Sequence, residues 1–509
     1  MQNLRGALVA AGAALLLLAP AAAQSQARTR NLAALDSVTS TIMTLPITTT
    51  SADARSHFLM GQRELDLGRT IDANTHFKAA VAADSNFALG YLNVATTGNS
   101  LAEFNGNLAL AERHVAGVSD AERILIQIAR LGLSNDVNGQ LVLAQQLVAK
   151  YPESPRAYLV LGGVQGALNQ NADARVSIMK AVGLAPRLLT AHTDLGNSYL
   201  FGEPKDFAKS LEQMQRAAAL APDEPFVHDL LGDVYRAQNN LDRARAEYTR
   251  GHELDLTDAS LLQQRGHVNS FAGNYAAARA DYDSAIALGR ANEQAGFSPF
   301  RAYVSVHAGD PKAAIAELNR LVAGVDAMAV PEPRGVKIAA LSDIAVIAIH
   351  TSNFPAAVEA LKQRTQLLLQ QADQVGTPAF RRSQEANIAY FDAWVAARQG
   401  DYTTAARATD RVVAAVTPDA NPRKLEPVHE LKGYIALYQG NFREAAGHFA
   451  EGNLNDPYIK YQYAVALAGA GEKNKAQQLF RELAVYNFNN VGYALIRKDA
   501  QQKAAVRAD

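Results

Sequence analysis

Four glycines, Gly162, Gly196, Gly232 and Gly266, follow one another at intervals of 34, 36 and 34 residues. Each sits in a similar phrase: YLVLGGVQG, AHTDLGNSYL, VHDLLGDVYR and LLQQRGHVNS. Reading forward from Gly61, Gly232, Gly266 and Gly433, alanine recurs twelve residues on, at Ala73, Ala244, Ala278 and Ala445. An aromatic ring recurs sixteen residues on, at Phe77, Tyr248, Tyr282 and Phe449, and a small residue nineteen on, at Ala80, Gly251, Ala285 and Gly452. The unit at Gly162 keeps Ala174 and Ala181 but has Ile178 in the aromatic slot. Residues three or four apart share one face of a helix. Leu161, Gly162 and Gln165 therefore mark a face of a first helix, and Ala174, Ile178 and Ala181 a face of a second. Small residues let the two backbones approach, and the larger residue fills the space left over. Polar turns (LNQNAD, AQNNLD, FAGNY) separate the two helices, and Pro186, Pro222 and Pro457 stop the second one, because proline lacks the amide hydrogen and clashes with the preceding turn. A pair of this kind cannot bury its apolar face alone, so the period predicts stacking of many units.

The pattern resembles the tetratricopeptide repeat family. Tyr158, Leu161, Gly162, Ala174, Ala181 and Pro186 match it in one unit, Leu195, Gly196, Tyr199 and Pro222 in the next, and Leu231, Gly232, Tyr235, Ala244 and Tyr248 in the one after. The slot that holds Trp in the family holds Tyr158, His192, His228 and His429 here. The resemblance implies an all-α fold, a right-handed α-solenoid of about ten to twelve stacked helix pairs. Units with the full pattern fall at about 54–87, 155–188, 189–224, 225–258, 259–292 and 426–459. Units that keep only the turn and the alanines fall at about 120–153, 297–328, 338–371, 384–417 and 457–489, with phrases such as GDPKAAIAEL and GDYTTAARAT. Residues 88–119 read as a divergent unit with an altered turn. Loops at 325–335 and 416–427 interrupt the less regular half. The expected organisation is thus a regular array over 52–292, a less regular array over 293–490, and a capping helix with a polar tail over 491–509.

Ahead of the repeats, residues 1–23 have the three parts of an export signal. Arg5 gives a positive start, Gly6 to Ala19 an apolar core, and Ala21 to Ala23 follow Pro20 as small residues for cleavage before Gln24. No cysteine follows the core, which excludes a lipid-modified cysteine anchor. Residues 24–51 are polar, rich in Ser and Thr, and read as a linker. Loss of Arg5 leaves 48 basic and 50 acidic residues from the 49 and 50 of the whole chain, a net charge of -2. That balance argues against nucleic acid as a partner. Zero cysteines exclude disulfides, thiol nucleophiles, iron–sulfur clusters and thiolate zinc sites. No stretch beyond the signal is long and apolar enough to cross a membrane.

The residues offer little chemistry. His192, His228 and His429 share one packing slot on their first helices, where an aromatic-like filler is the economical reading. VHELK at 428–432 lacks the second histidine of a zinc-protease helix. LGGVQG lies within a helix and follows no strand, so it is no phosphate loop, and neither GxxxxGK[ST] nor GxSxG occurs. No pair of carboxylates stands out as acid and base. The expectation is no catalytic residue, no metal and no cofactor. The resemblance places first helices along a concave groove, whose lining in the regular half would be Arg156, Leu159, Thr193, Asn197, Phe201, Asp229, Asp233, Arg236, Gln263, His267 and Phe271. This mixed set suits an extended peptide or a partner helix. Asn197 resembles the Asn of the family's carboxylate clamp, but Thr193 replaces its Lys and Asp233 adds the wrong charge, so that clamp is rejected. By analogy of fold, the expected role is a non-enzymatic, exported scaffold or adaptor of the bacterial cell envelope, periplasmic or secreted, with other proteins or peptides as partners. An accessory periplasmic subunit of polysaccharide export or envelope assembly is the alternative. An enzyme would need a compact non-repeat fold within 293–420 in which His307, His350 and acidic residues converge.

Overall fold

A computed structural model describes residues 45–98 and 100–505. The expected export signal, 1–23, and the linker up to residue 44 lie outside the described residues. Among those described there are twenty-five α-helices, one 3₁₀ turn (Val325–Ala327) and no strand. The helices run as twelve consecutive pairs, from Ala52–Asp66 with Thr70–Ala83 to Pro457–Gly469 with Lys473–Ala484, followed by a single last helix, Val491–Ala505. The chain forms two compact units that divide at Gln264 and Arg265.

Local chemistry sets where each helix starts. Ser51, Ser100 and Ser154 accept backbone N–H groups of the first turns they precede, and Ser119 and Glu122 form a reciprocal capping box. Proline opens the helices Pro155–Ala167, Pro225–Ala237 and Pro457–Gly469, where its missing N–H has no partner to lose. The turn inside each pair is just as regular. In ten of the twelve pairs one residue has positive φ: Gly68, Asn135, Asn169, Asn239, Gly273, Gly309, Ser352, Gly400, Gly440 or Gly471. The next N–H bonds back five residues at 2.8 to 3.0 Å, as from Gln170 to Gln165 and Asn240 to Tyr235. This is the Schellman closure, which glycine and asparagine tolerate best. The pair Ala88–Thr97 with Leu101–Arg113 and the pair Leu189–Phe201 with Phe207–Leu220 turn otherwise.

Packing follows the periodic slots. Phe77, Tyr248, Tyr282 and Phe449 are wholly buried, as are Ala73, Ala244, Ala278 and Ala445. Each aromatic ring lies on the glycine of its own first helix. A Cβ on Gly61 would stand 2.6 Å from the Phe77 ring, one on Gly266 2.9 Å from Tyr282, and one on Gly433 2.8 Å from Phe449. Ile178 and Met214 fill the same place against Gly162 and Gly196. The later pairs are stretched. Phe354–Val375 and Pro378–Gln399 each have 22 residues, which lengthens the period beyond 34 and explains why that half looks irregular in sequence.

Each unit closes on itself. In the first, the turn of the first hairpin lies against the starts of three later first helices. Leu67 joins a cluster with Leu189, Ala217, Ala221 and Val227. Asp66 accepts from Arg156 at 2.6 and 3.2 Å and from Thr190 at 2.6 Å. Arg69 reaches Glu224 at 2.6 Å. The segment from residue 45 onwards, expected to be linker, is instead tied down. Leu45 is buried, the Thr48 N–H donates to Glu122 at 2.9 Å, and the Thr49 hydroxyl donates to Asp84 at 2.5 Å. In the second unit the last helix packs on the pair before it and also on Ala291–His307 and Pro333–His350.

Candidate functional site

The eleven expected groove positions do not form an open lining. In the first unit Arg156 is half-buried and committed to Asp66. Leu159 packs on the cluster of Ala181, Ala185, Leu188 and Ala191. Thr193 is buried and donates to the Thr190 carbonyl at 3.1 Å. Asn197 and Gln263 are half-buried, and Phe201 is 44% exposed.

Asp229, Asp233 and Arg236 belong to an interior network. Arg236 is buried, bonding Asp233 at 2.5 Å and Gln264 at 2.8 Å. Gln264 donates to Asp229 at 3.0 Å, and the Tyr248 hydroxyl donates to Asp233 at 2.7 Å. Burial, with Asp233 and Asp258 alongside, pushes the Asp229 carboxyl well above the usual carboxylate range. Their place on the first helix is the one that sequence assigns to partner contacts. The neighbouring second helix and the next first helix cover that face. Asp194 shows the same effect at the closure: burial, then the nearby charge of Asp66, pushes its carboxyl up to about 7.

In the second unit His267 and Phe271 are buried beneath the chain's own C-terminal segment, so they too leave the groove. His267 Nδ1 meets the Tyr282 hydroxyl at 2.5 Å and the Asn489 amide at 3.1 Å. Arg497 donates to the Phe271 carbonyl at 3.1 Å and lies 5.0 Å over its ring. His307 and His350 do not converge. His307 meets Asn489 at 3.2 Å, and His350 meets the Tyr458 hydroxyl at 2.8 Å. Burial lowers both to about 4, so they are neutral at pH 7. The region 293–420 consists of helix pairs rather than a separate compact fold. A buried acid that sequence did not flag is Glu430. Burial raises it to about 7, and it accepts from the Tyr390 hydroxyl at 2.8 Å and the Asn453 N–H at 3.1 Å. No three His, Asp or Glu side chains gather as a metal site among the described residues. No described helix is long and apolar enough to cross a membrane.

What the residues build, again and again, is a glycine of one helix seated on an aromatic ring of the next, closed by a Gly or Asn turn. This is a tetratricopeptide-like fold. No protein-family profile matches the chain. Residues of the mouse (Mus musculus) protein O-mannosyl-transferase TMTC1 are 29% identical over 145 positions, which is 28% of this chain and 15% of that protein. The chain therefore spans well under a fifth of the curated relative. Among solved structures, the Cut9–Hcn1 hetero-tetramer of the APC/C superposes with a TM-score of 0.39 at 15% identity, covering 86% of this chain and 78% of the other. A tetratricopeptide protein of Thermus thermophilus, TTC0263, gives 0.27 at 23% identity, covering 41% and 94%. The tetratricopeptide-like reading of the fold thus rests on the chain's own internal geometry.

Proposed function

We propose that the chain is a non-enzymatic adaptor, exported to the bacterial cell envelope, that holds other proteins against its stacked tetratricopeptide repeats. The observation that carries this reading is how the second unit treats its own C-terminus. The line of first helices Ala291–His307 and Pro333–His350 accepts a whole helix, Val491–Ala505, across its face. A face that takes one helix by apolar and polar contacts has the chemistry to take another. The accessible part of the first unit's lining narrows to the stretch carrying Asn197 and Phe201, one turn apart on Leu189–Phe201. The export signal read at 1–23 supports placement outside the cytoplasm. The test is recovery of partners from envelope extract by the wild-type protein and by an Asn197→Ala/Phe201→Ala variant. Loss of at least one partner is expected from the variant. Equal recovery of every partner would remove the adaptor surface from this stretch. Fractionation, with the N-terminal sequence of the mature protein, tests export.

A further inference from the structure

In three of the pairs the residue four before the packing glycine faces the residue fifteen after it on the second helix. In the pair Pro225–Ala237 with Leu241–Leu254 these are His228 and Glu247, with Nδ1 and Oε2 2.8 Å apart. In the first pair they are His57 and His76, and in the pair Glu426–Tyr438 with Phe442–Ala450 they are His429 and His448. His57 Nδ1 lies 3.5 Å from His76 Nδ1, and His429 Nδ1 lies 3.3 Å from His448 Nδ1. The ring centroids are 5.8 and 5.5 Å apart, and all four residues are accessible to solvent rather than buried. A tetrahedral metal with nitrogen ligands at about 2.0–2.1 Å has those nitrogens about 3.3–3.4 Å from each other. Both pairs sit close to that edge length, and the square-planar arrangement that Cu²⁺ prefers asks the same two half-exposed side chains to close to about 2.8 Å. They do so in different units of the chain, on backbones fixed by the same glycine–aromatic contact.

We propose that His57 with His76, and His429 with His448, are two equivalent chelating sites for an imidazole-seeking divalent transition metal, Cu²⁺ above Zn²⁺. Neutral imidazole is the ligand form for both metals, and Cu²⁺ binds nitrogen sites more tightly than Zn²⁺. With metal bound, both Nδ1 lone pairs would face it and each ring would carry its proton on Nε2; without metal, one Nδ1–H of each pair donates to the other Nδ1. A carboxylate stands one turn before the second histidine in both cases, Asp72 before His76 and Glu444 before His448. Residues four apart share a helix face, so each acid stands beside its site, although at the second one Lys432 offsets the charge of Glu444 on His448. Two protein nitrogens leave the remaining positions to water. The metal therefore exchanges readily and is held more weakly than at a closed structural site.

The experiment uses the untagged full chain after chelator treatment, titrated with Cu²⁺, Zn²⁺ and, as control, Mg²⁺, by calorimetry and by Cu²⁺ electron paramagnetic resonance. The expected result is about two equivalents of Cu²⁺ with nitrogen hyperfine structure from two imidazoles, weaker Zn²⁺ uptake, and no Mg²⁺ uptake. His76→Gln and His448→Gln should each remove about one equivalent, and the double variant both. His228→Gln should leave uptake unchanged. Helical circular dichroism of the metal-free variants verifies that they fold. Absence of saturable Cu²⁺ uptake by the wild type, or undiminished uptake by the folded double variant, would leave the pairs as hydrogen-bonded packing only and overturn the proposal.

Discussion

Gly232 and Gly106 both lie inside helices, and replacing each by alanine should move stability in opposite directions. Around Gly106, on Leu101–Arg113, a Cβ meets nothing within 4 Å. The substitution there gains only the helix preference of alanine over glycine, about 0.5–1 kcal/mol. At Gly232 the new Cβ would stand 2.3 Å from Cε1 and 2.7 Å from Cδ1 and Cζ of Tyr248. That ring is wholly buried, its hydroxyl is bonded to Asp233, and the Arg236 guanidinium lies 5.7 Å from its centroid. It cannot retreat without giving up that bond, worth about 1 kcal/mol. Overpacking adds a cost of about 1–3 kcal/mol. Set against the same helix gain, the net effect is a loss of about 1–3 kcal/mol. For a unit of this size each kcal/mol moves the melting midpoint by roughly 2–4 °C. Thermal and urea melts followed by circular dichroism should therefore separate the two variants by several degrees, Gly106→Ala above the wild type and Gly232→Ala below it. If Gly232→Ala melts with the wild type or above it, the glycine–aromatic seat is not what brings the paired helices together.

The raised carboxyl of Asp194 makes the first unit lose stability as pH rises from about 4 to about 7, because over that range the folded state holds a proton that the unfolded chain releases. Asp194→Asn should flatten that slope. It should gain roughly 1–2 kcal/mol at pH 8, below the full value of the shift because the side chain is not sealed from water, and nothing at pH 3; urea melts at the two pH values measure it. Arg497 holds the C-terminal segment by its bonds to Asn487 at 2.8 Å and to the Phe271 carbonyl, and by its contact with Tyr493. Arg497→Ala should cost about 2–4 kcal/mol and speed hydrogen exchange in Val491–Ala505, which mass spectrometry reads directly.

The repeat was legible because it is local. The glycine, alanine and aromatic slots lie within one hairpin, and spacing alone assigns their faces. The turn was legible too, since Asn169, Asn239 and Gly273 mark it in the chain itself. The groove was not. Whether Arg236 or His267 meets solvent depends on what lies opposite, and their partners Gln264 and Asn489 are 28 and 222 residues away. Closure depends on the small rotation added at each repeat, which no single unit encodes. Asp66 gives no sign in sequence that it meets Arg156 and Thr190. The histidine pairs are half visible: the slot on the first helix shows in the repeat, but its opposite position, nineteen residues on, carries no residue type common to the repeats to mark it.

The closure of the first unit alters how its parts depend on one another. In an open stack, losing an outermost hairpin deprives only its neighbour. Here the bond from Arg69 to Glu224 spans 155 residues, so the outermost hairpin also braces the sixth. During synthesis that hairpin gains its supports in turn, from Arg156, then Thr190, and the last only when Glu224 has left the ribosome. The unit behaves as an arch, in which the earliest stone is secured by nearly the last.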